Sequence, residues 1–153
     1  MLTPYPMAEA DKQVISAWHY PGEYAAYDLP PYDEQLRTGT CLCNPQRQGN
    51  YLVWREGETI VGFTNLLEED CEVFLGIGVA PDLCGKGYGS QIAALAVEEA
   101  HRRFPGKPVY LEVRTWNTRA VRCYEKAGFL RSGGPFRQKT RMGEGEFYRM
   151  VRA

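Results

Sequence analysis

The stretch LCGKGYGSQIAALAVEEAHRRF, residues 83–104, joins a run of alternating glycines to the start of an amphipathic pattern. Gly85, Gly87 and Gly89 come just before apolar residues that recur at three- and four-residue intervals, which predicts a long helix. Glycine loses much backbone entropy on folding and is a poor helix former. Its repeated use here indicates that something must approach the bare backbone where this helix begins.

The predicted order here is a strand, a turn, glycines and then a helix, which is the order found in many anion-binding sites. The first N–H groups of a helix lack intrahelical acceptors and carry partial positive charge, and glycines let phosphate oxygens come close to them. Lys86 adds a cation, and Ser90 can cap the helix or donate to a phosphate. The segment is not a P-loop, because Lys86 is followed by another glycine, and its third glycine comes one residue too early for G-x-G-x-x-G.

The first half of the chain predicts a helix followed by three strands. Residues 7–18 predict a helix with Met7, Val14, Ile15 and Trp18 on one face, and a loop-rich segment with many tyrosines follows. YLVWRE and TIVGFTNLL predict a hairpin around the turn EGE. CEVFLGIGVAP predicts a third strand, apolar on both faces.

The second half predicts a helix, a strand, a helix and two strands. After the glycines and the long helix come the strand VYLEVRT and the short helix TRAVRCYEKAG, which is expected to end at Gly128. Strands around Phe129 and GEFYRMV close the chain, separated by a connection rich in Gly, Lys and Arg. This order predicts an α/β fold with helices on both faces of a mixed sheet, and a single domain over residues 1–153.

The composition of the chain argues against some classes of binding partner. The chain has 153 residues and a net charge of -1, which argues against binding to nucleic acid or to an anionic membrane. With no secretory signal at its start, a cytoplasmic location is expected. Five cysteines form no disulfide pattern, and the pair in CLC lacks a second pair nearby, so reduced thiols and no metal site are expected. The sequence does not determine the oligomeric state, and a homodimer is one of the states that it allows.

The glycine motif, followed by LEVRTWNTRAVRCYEKAGF at 111–129, resembles the GNAT superfamily of acetyl-CoA-dependent N-acetyltransferases. The family's pyrophosphate loop, Q/R-x-x-G-x-G/A, corresponds to residues 84–89, with Cys84 in place of Gln or Arg. The resemblance implies a sheet with splayed central strands and acetyl-CoA as cosubstrate. The cofactor-binding residues that it implies are Ile77, Gly78, Val79, Cys84, Gly85, Lys86, Gly87, Tyr88, Gly89, Ser90 and Asn117.

The same resemblance implies two catalytic residues. Tyr124 resembles the family's general acid, which protonates the leaving sulfur; its alternative is a core tyrosine. Glu112 matches the general base of the ribosomal-protein N-terminal alanine acetyltransferases; its alternative is a strand glutamate paired with Arg114. Glu72 is a weaker candidate for the base. Asn117 is expected to contact the cofactor, to cap the helix, or both.

The acceptor is expected to be a primary amine on a small molecule or a peptide. In the segment 18–28, Tyr20, Tyr24 and Tyr27 with two acidic residues, Glu23 and Asp28, either surround a cationic amine or pack the loop on the core. The basic stretch RQKTRMGEGEF is either a solvated turn or a phosphate contact. The rival hypotheses are a non-catalytic acyl-CoA-binding module on the same fold and, less favoured by the motifs, a nucleotide-binding protein.

Overall fold

A computed structural model describes residues 1–153 and confirms the predicted mixed α/β fold. The helices are α1 (Glu9–Ser16), α2 (Tyr32–Thr38), α3 (Tyr88–Arg103) and α4 (Thr118–Lys126). The strands are β1 (Leu2–Pro6), β2 (Tyr51–Glu56), β3 (Thr59–Glu68), β4 (Val73–Val79), β5 (Val109–Arg114), β6 (Leu130–Arg131), β7 (Phe136–Thr140) and β8 (Gly143–Arg152). Their order in the sheet is β1-β2-β3-β4-β5-β8-β6, and β7 pairs with β8. None of the helices is both long enough and apolar enough to cross a membrane.

The chain divides into two compact units. The first contains Met1–Thr64 and Gly78–Cys84, and the second contains Asn65–Ile77 and Gly85–Ala153. The predicted single domain over residues 1–153 stays a prediction.

The first unit contains β1, α1, α2 and the β2–β3 hairpin. β1 pairs antiparallel with β2, from Leu2 opposite Glu56 to Pro6 opposite Leu52. The sequence did not reveal β1, because its prolines obscure the strand pattern; proline is tolerated on an edge strand. The hairpin of β2 and β3 around residues 57–58 is confirmed.

The first helix is shorter than predicted. α1 begins at Glu9, where the N–H of Ala8 donates to the carboxylate of Asp11 at 2.9 Å. Ile15 is buried in a cluster with Leu42 and Val53, whereas Val14 is 48% exposed, so Val14 does not share the buried face as expected. A helix of about two turns cannot bury all of the residues that the sequence predicted on one face.

The second unit is built around β5. β5 pairs parallel with β4 only at Val73 and Phe74, and antiparallel with β8 along its whole length. Because the parallel pairing covers only the start of β4, the two strands separate toward the end of β4, which is the expected splay. α3 buries Ile92, Ala93, Ala96, Val97 and Ala100 as a continuous stripe, and it packs against α4.

The end of the chain contains a strand that the sequence did not reveal. The Gly-, Lys- and Arg-rich connection includes β7, which forms a hairpin with β8 from Phe136 opposite Phe147 to Thr140 opposite Gly143. Most β7 side chains are polar and partly or fully exposed, so no alternation of apolar residues announces the strand. The basic stretch 137–147 therefore forms a hairpin, and both alternatives for its role stay predictions.

Candidate active site

The glycine turn leads directly into α3. Gly87 is the N-cap residue of α3 and has φ +87°, a left-handed conformation that strains any residue with a Cβ. No side chain caps the helix, and the hydroxyl of Ser90 donates to the Gly87 carbonyl at 3.1 Å instead of accepting from an N–H. The start of α3 therefore carries the positive end of a 16-residue helix behind an N-cap residue that has no side chain.

The turn is also open. A Cβ at Gly85 would meet no atom within 4 Å, and both Gly85 and Lys86 are exposed. Gly89 lies in the first turn of α3. The sequence-predicted residues Gly85 to Ser90 form one continuous segment with main-chain amides, open space at Gly85 and one cation, and diphosphate binding by this segment stays a prediction.

The end of β4 is held by residues from other parts of the first unit. The carbonyl of Val79 accepts from the hydroxyl of Tyr20 at 2.6 Å, and the N–H of Ala80 donates to the Val61 carbonyl at 2.8 Å. Gly78 must be glycine, because a Cβ there would lie 2.5 Å from the Phe63 ring. The backbone of Val79 is therefore less free than the sequence predicted.

Cys84 stabilises the turn that follows β4. Its thiol lies 3.8 Å from the carbonyl oxygen of Val79 and 3.5 Å from that of Ala80. At this position, where the motif usually has Gln or Arg, the side chain contacts the protein's own backbone. Its predicted role in binding the cofactor stays a prediction.

α4 presents two of the predicted residues. Asn117 is 6% exposed, and its side-chain oxygen accepts from the N–H of Ala120 at 3.1 Å, which confirms the N-cap alternative. Tyr124 is half-buried, and its ring packs edge-on against Phe129 with centroids 6.3 Å apart. The cofactor contact of Asn117 and the acid role of Tyr124 stay predictions.

Glu112 lies in the middle of β5, opposite Arg149 of β8. The half-buried carboxylate accepts a hydrogen bond from the amide nitrogen of Gln138 at 3.1 Å. The guanidinium of Arg114, the partner considered from the sequence, lies 4.9 Å from the centroid of the Phe147 ring. Gln138 stands on the β7 strand that the sequence did not reveal, so no sequence signal pointed to it.

A charged network surrounds Glu112 in the second unit. Arg149 forms an ion pair with Glu72, the weaker base candidate, and lies 4.0 Å from the centroid of the Tyr110 ring. The hydroxyl of Tyr110 donates to both oxygens of Glu69, at 2.8 and 2.9 Å. Burial, reinforced by Glu69 and neighbouring carboxylates, raises the pKa of Tyr110 well above its usual range, so this phenol stays protonated. Strand alternation in the sequence could have placed Tyr110 on the same face of β5 as Glu112. It could not have identified the residues that Tyr110 contacts.

The aromatic segment forms a 3-10 helix over Gly22–Tyr27. The carboxylate of Asp28 accepts from the backbone N–H of Tyr20 at 2.8 Å and lies 3.1 Å from His19 Nδ1. Asp28 therefore holds the loop through hydrogen bonds, and whether the tyrosine rings surround an amine or pack the loop on the core stays a prediction. Glu23 is exposed.

The five cysteines are all free, and no three side chains of the His, Cys, Asp or Glu type come together as metal ligands would.

Comparison with known proteins identifies the family. A model of the acetyltransferase (GNAT) family matches residues 13–129. The chain belongs to the acetyltransferase (GNAT) family. No curated protein matches the sequence.

Solved GNAT structures share the fold of this family member. The spermidine N-acetyltransferase from Vibrio cholerae, solved with CoA and spermine, is 20% identical with a TM-score of 0.79, over 98% of this chain and 94% of that one. The ribosomal-protein-S18-alanine N-acetyltransferase from Escherichia coli is 19% identical with a TM-score of 0.67, over 99% of this chain and 92% of that one. At this identity, the similarity shows the fold alone.

Proposed function

We propose that this GNAT-family protein transfers an acetyl group from acetyl-CoA directly to a primary amine. One observation carries the proposal. The long helix α3 begins at a left-handed glycine without a side-chain cap, behind an open turn that contains Lys86. This is the local structure that binds a diphosphate through main-chain amides.

Two segments of the chain would hold the acyl donor. The amides of residues 85–90 bind the diphosphate, and Lys86 adds a cation. Ile77, Gly78 and Val79 lie where β4 leaves β5, so their main-chain groups can bind the amide-bearing pantetheine arm as a strand edge binds a peptide. Asn117, at the start of α4, completes the proposed contacts.

Acyl transfer to an amine needs a base and an acid. Glu112 takes a proton from the amine, directly or through one water, as the new C–N bond forms. Tyr124 donates its phenolic proton to the sulfur as the C–S bond breaks, and it regains a proton from solvent. Acetyl-CoA supplies the activated thioester.

The contacts around Glu112 are compatible with a role as the general base. Gln138 donates to one carboxylate oxygen and thereby holds the side chain in one orientation. Arg149 forms an ion pair with Glu72 and the hydroxyl of Tyr110 donates to Glu69, so each of these two neighbours has another carboxylate as its partner. The second oxygen of Glu112 is the one that we propose receives the proton.

The acceptor is a primary amine of a small molecule or a peptide. The structural neighbours are named for spermidine and for a ribosomal-protein alanine. These names mark the two classes of amine to test first. A cytoplasmic location and a homodimer stay predictions.

The test has two arms. Acetyl-CoA at about 100 times its Kd should stabilise the protein by about 2.7 kcal/mol, measured as a rise in Tm. Purified protein is then incubated with acetyl-CoA and a panel of polyamines, amino acids, aminoglycosides and alanine-initiated peptides, and free CoA thiol is followed. Release with one class supports the proposal. No Tm shift at saturation overturns it, and a shift without thiol release from any amine favours the binding module.

A further inference from the structure

Tyr20 belongs to neither of the motifs that indicate acetyl transfer. It lies 59 positions before Val79 in the sequence, yet its hydroxyl donates to the Val79 carbonyl at 2.6 Å. Val79 is the last residue of β4. A residue of the segment 18–28 therefore contacts the main chain at the strand end that we propose binds the acyl donor.

The peptide group between Val79 and Ala80 is held on both sides. Its carbonyl accepts from Tyr20, and its N–H donates to the Val61 carbonyl at 2.8 Å. The other contact to that carbonyl, the thiol of Cys84, is weak at 3.8 Å. The direction of this peptide group is thus held by the Val61 carbonyl on its N–H side and by the Tyr20 hydroxyl on its carbonyl side.

The backbone of Tyr20 is also held by a hydrogen bond. Its backbone N–H donates to Asp28 at 2.8 Å, and His19 lies 3.1 Å from the other oxygen of that carboxylate. Asp28 thereby closes the loop 20–28 at its base. Tyr20 is therefore held by hydrogen bonds at both its backbone N–H and its hydroxyl.

We propose that Tyr20 is a positioning residue for the acyl donor. By holding the Val79 carbonyl, it fixes the direction of the main-chain groups at the end of β4. The inference rests on the proposed function, because it assumes that these groups bind the pantetheine arm. A carbonyl has a second lone pair, so the hydrogen bond from Tyr20 leaves Val79 able to accept from a ligand.

The test compares Tyr20→Phe with Tyr5→Phe, which removes a hydroxyl from an exposed tyrosine of β1. Calorimetry measures the Kd of CoA, and hydrogen exchange measures protection of residues 77–84. One lost hydrogen bond predicts a Kd about three- to tenfold higher in Tyr20→Phe, with faster exchange confined to this segment. Tyr5→Phe should match the wild type in both measurements.

The outcomes separate this inference from the proposed function. If the wild type binds CoA and Tyr20→Phe binds it equally or more tightly, the positioning role is wrong while the proposed function stands. A wild type that does not bind CoA overturns the proposed function, and the inference with it. Should Tyr20→Phe fold poorly, Asp28→Ala releases the same loop, and an unchanged Kd in that variant counts against the positioning role.

Discussion

Tyr124 is the residue for which the proposed chemistry makes the sharpest prediction. Its ring packs edge-on against Phe129, so the ring has a structural role whatever the hydroxyl does. Tyr124→Phe keeps the ring and removes only the proton donor. If Tyr124 is the general acid, kcat should fall by about 100-fold or more, while the Kd of CoA and the Tm stay close to the wild type.

The control for this experiment is Tyr5→Phe, which should keep full activity because Tyr5 is exposed on β1. Wild-type kcat in Tyr124→Phe would leave Tyr124 as a packing residue only. Kinetics with saturating amine and acetyl-CoA separate kcat from effects on substrate binding.

Residue types in the candidate site could be read from the sequence, but their partners could not. Glu112 and Tyr124 were proposed because they stand at positions that resemble functional positions of the family's motifs, and their roles stay predictions. Gln138, 26 positions beyond Glu112, contacts it only because β7 folds back on β8 and β8 pairs with β5. No local pattern encodes a contact made through two strand pairings.

At the scale of elements, the contribution of the start of α3 to stability and to CoA binding can be tested at two glycines that differ in conformation. Gly87 has φ +87°, whereas Gly89 lies inside the helix. Gly87→Ala forces a left-handed alanine and should cost about 1–2 kcal/mol of stability, measured by urea unfolding. Gly89→Ala should leave stability unchanged or raise it slightly, because alanine favours helix.

The two variants are expected to differ in stability but to have the same effect on CoA binding. Both variants should weaken CoA binding, since a methyl group at Gly89 stands among the amides that we propose contact the diphosphate. If Gly89→Ala binds CoA as tightly as the wild type, the diphosphate does not contact this part of the turn.

Regular elements were predictable where their pattern is strong. α3 buries the stripe that its apolar spacing indicates, and α4 ends before Gly128 as expected. β1 and β7 were missed, because a proline-containing edge strand and a polar hairpin strand owe their conformation to the neighbour with which they pair.

At the scale of the whole molecule, acid stability depends on carboxylates held by cations. Hydrogen bonds from Arg102 and then Arg103 lower the pKa of Glu99, and Lys12 followed by Tyr32 lowers that of Glu9. A carboxylate whose folded pKa is depressed stabilises the fold above its unfolded pKa of about 4.3, and this contribution is lost as pH falls through the folded pKa.

Glu99→Gln should therefore be less stable than the wild type at pH 7, by about 0.5 kcal/mol, and the difference should disappear as pH falls through the depressed folded pKa of Glu99. Urea unfolding at a series of pH values measures it. Glu98→Gln, on an exposed position of the same helix, is the control and should show a smaller dependence on pH. A difference that persists at low pH would show that the amide harms the helix for another reason.

The sequence by itself determined the α/β class and the long helix behind its glycines, and its motifs indicated the acetyltransferase (GNAT) family, because each depends on a local pattern of spacing and backbone freedom. Only the tertiary structure decided what holds those residues: Tyr20 on Val79, Gln138 on Glu112 and Arg149 on Glu72. Such contacts join positions far apart in the chain. They form only after strand pairing and loop closure bring those positions together, so no short segment contains them.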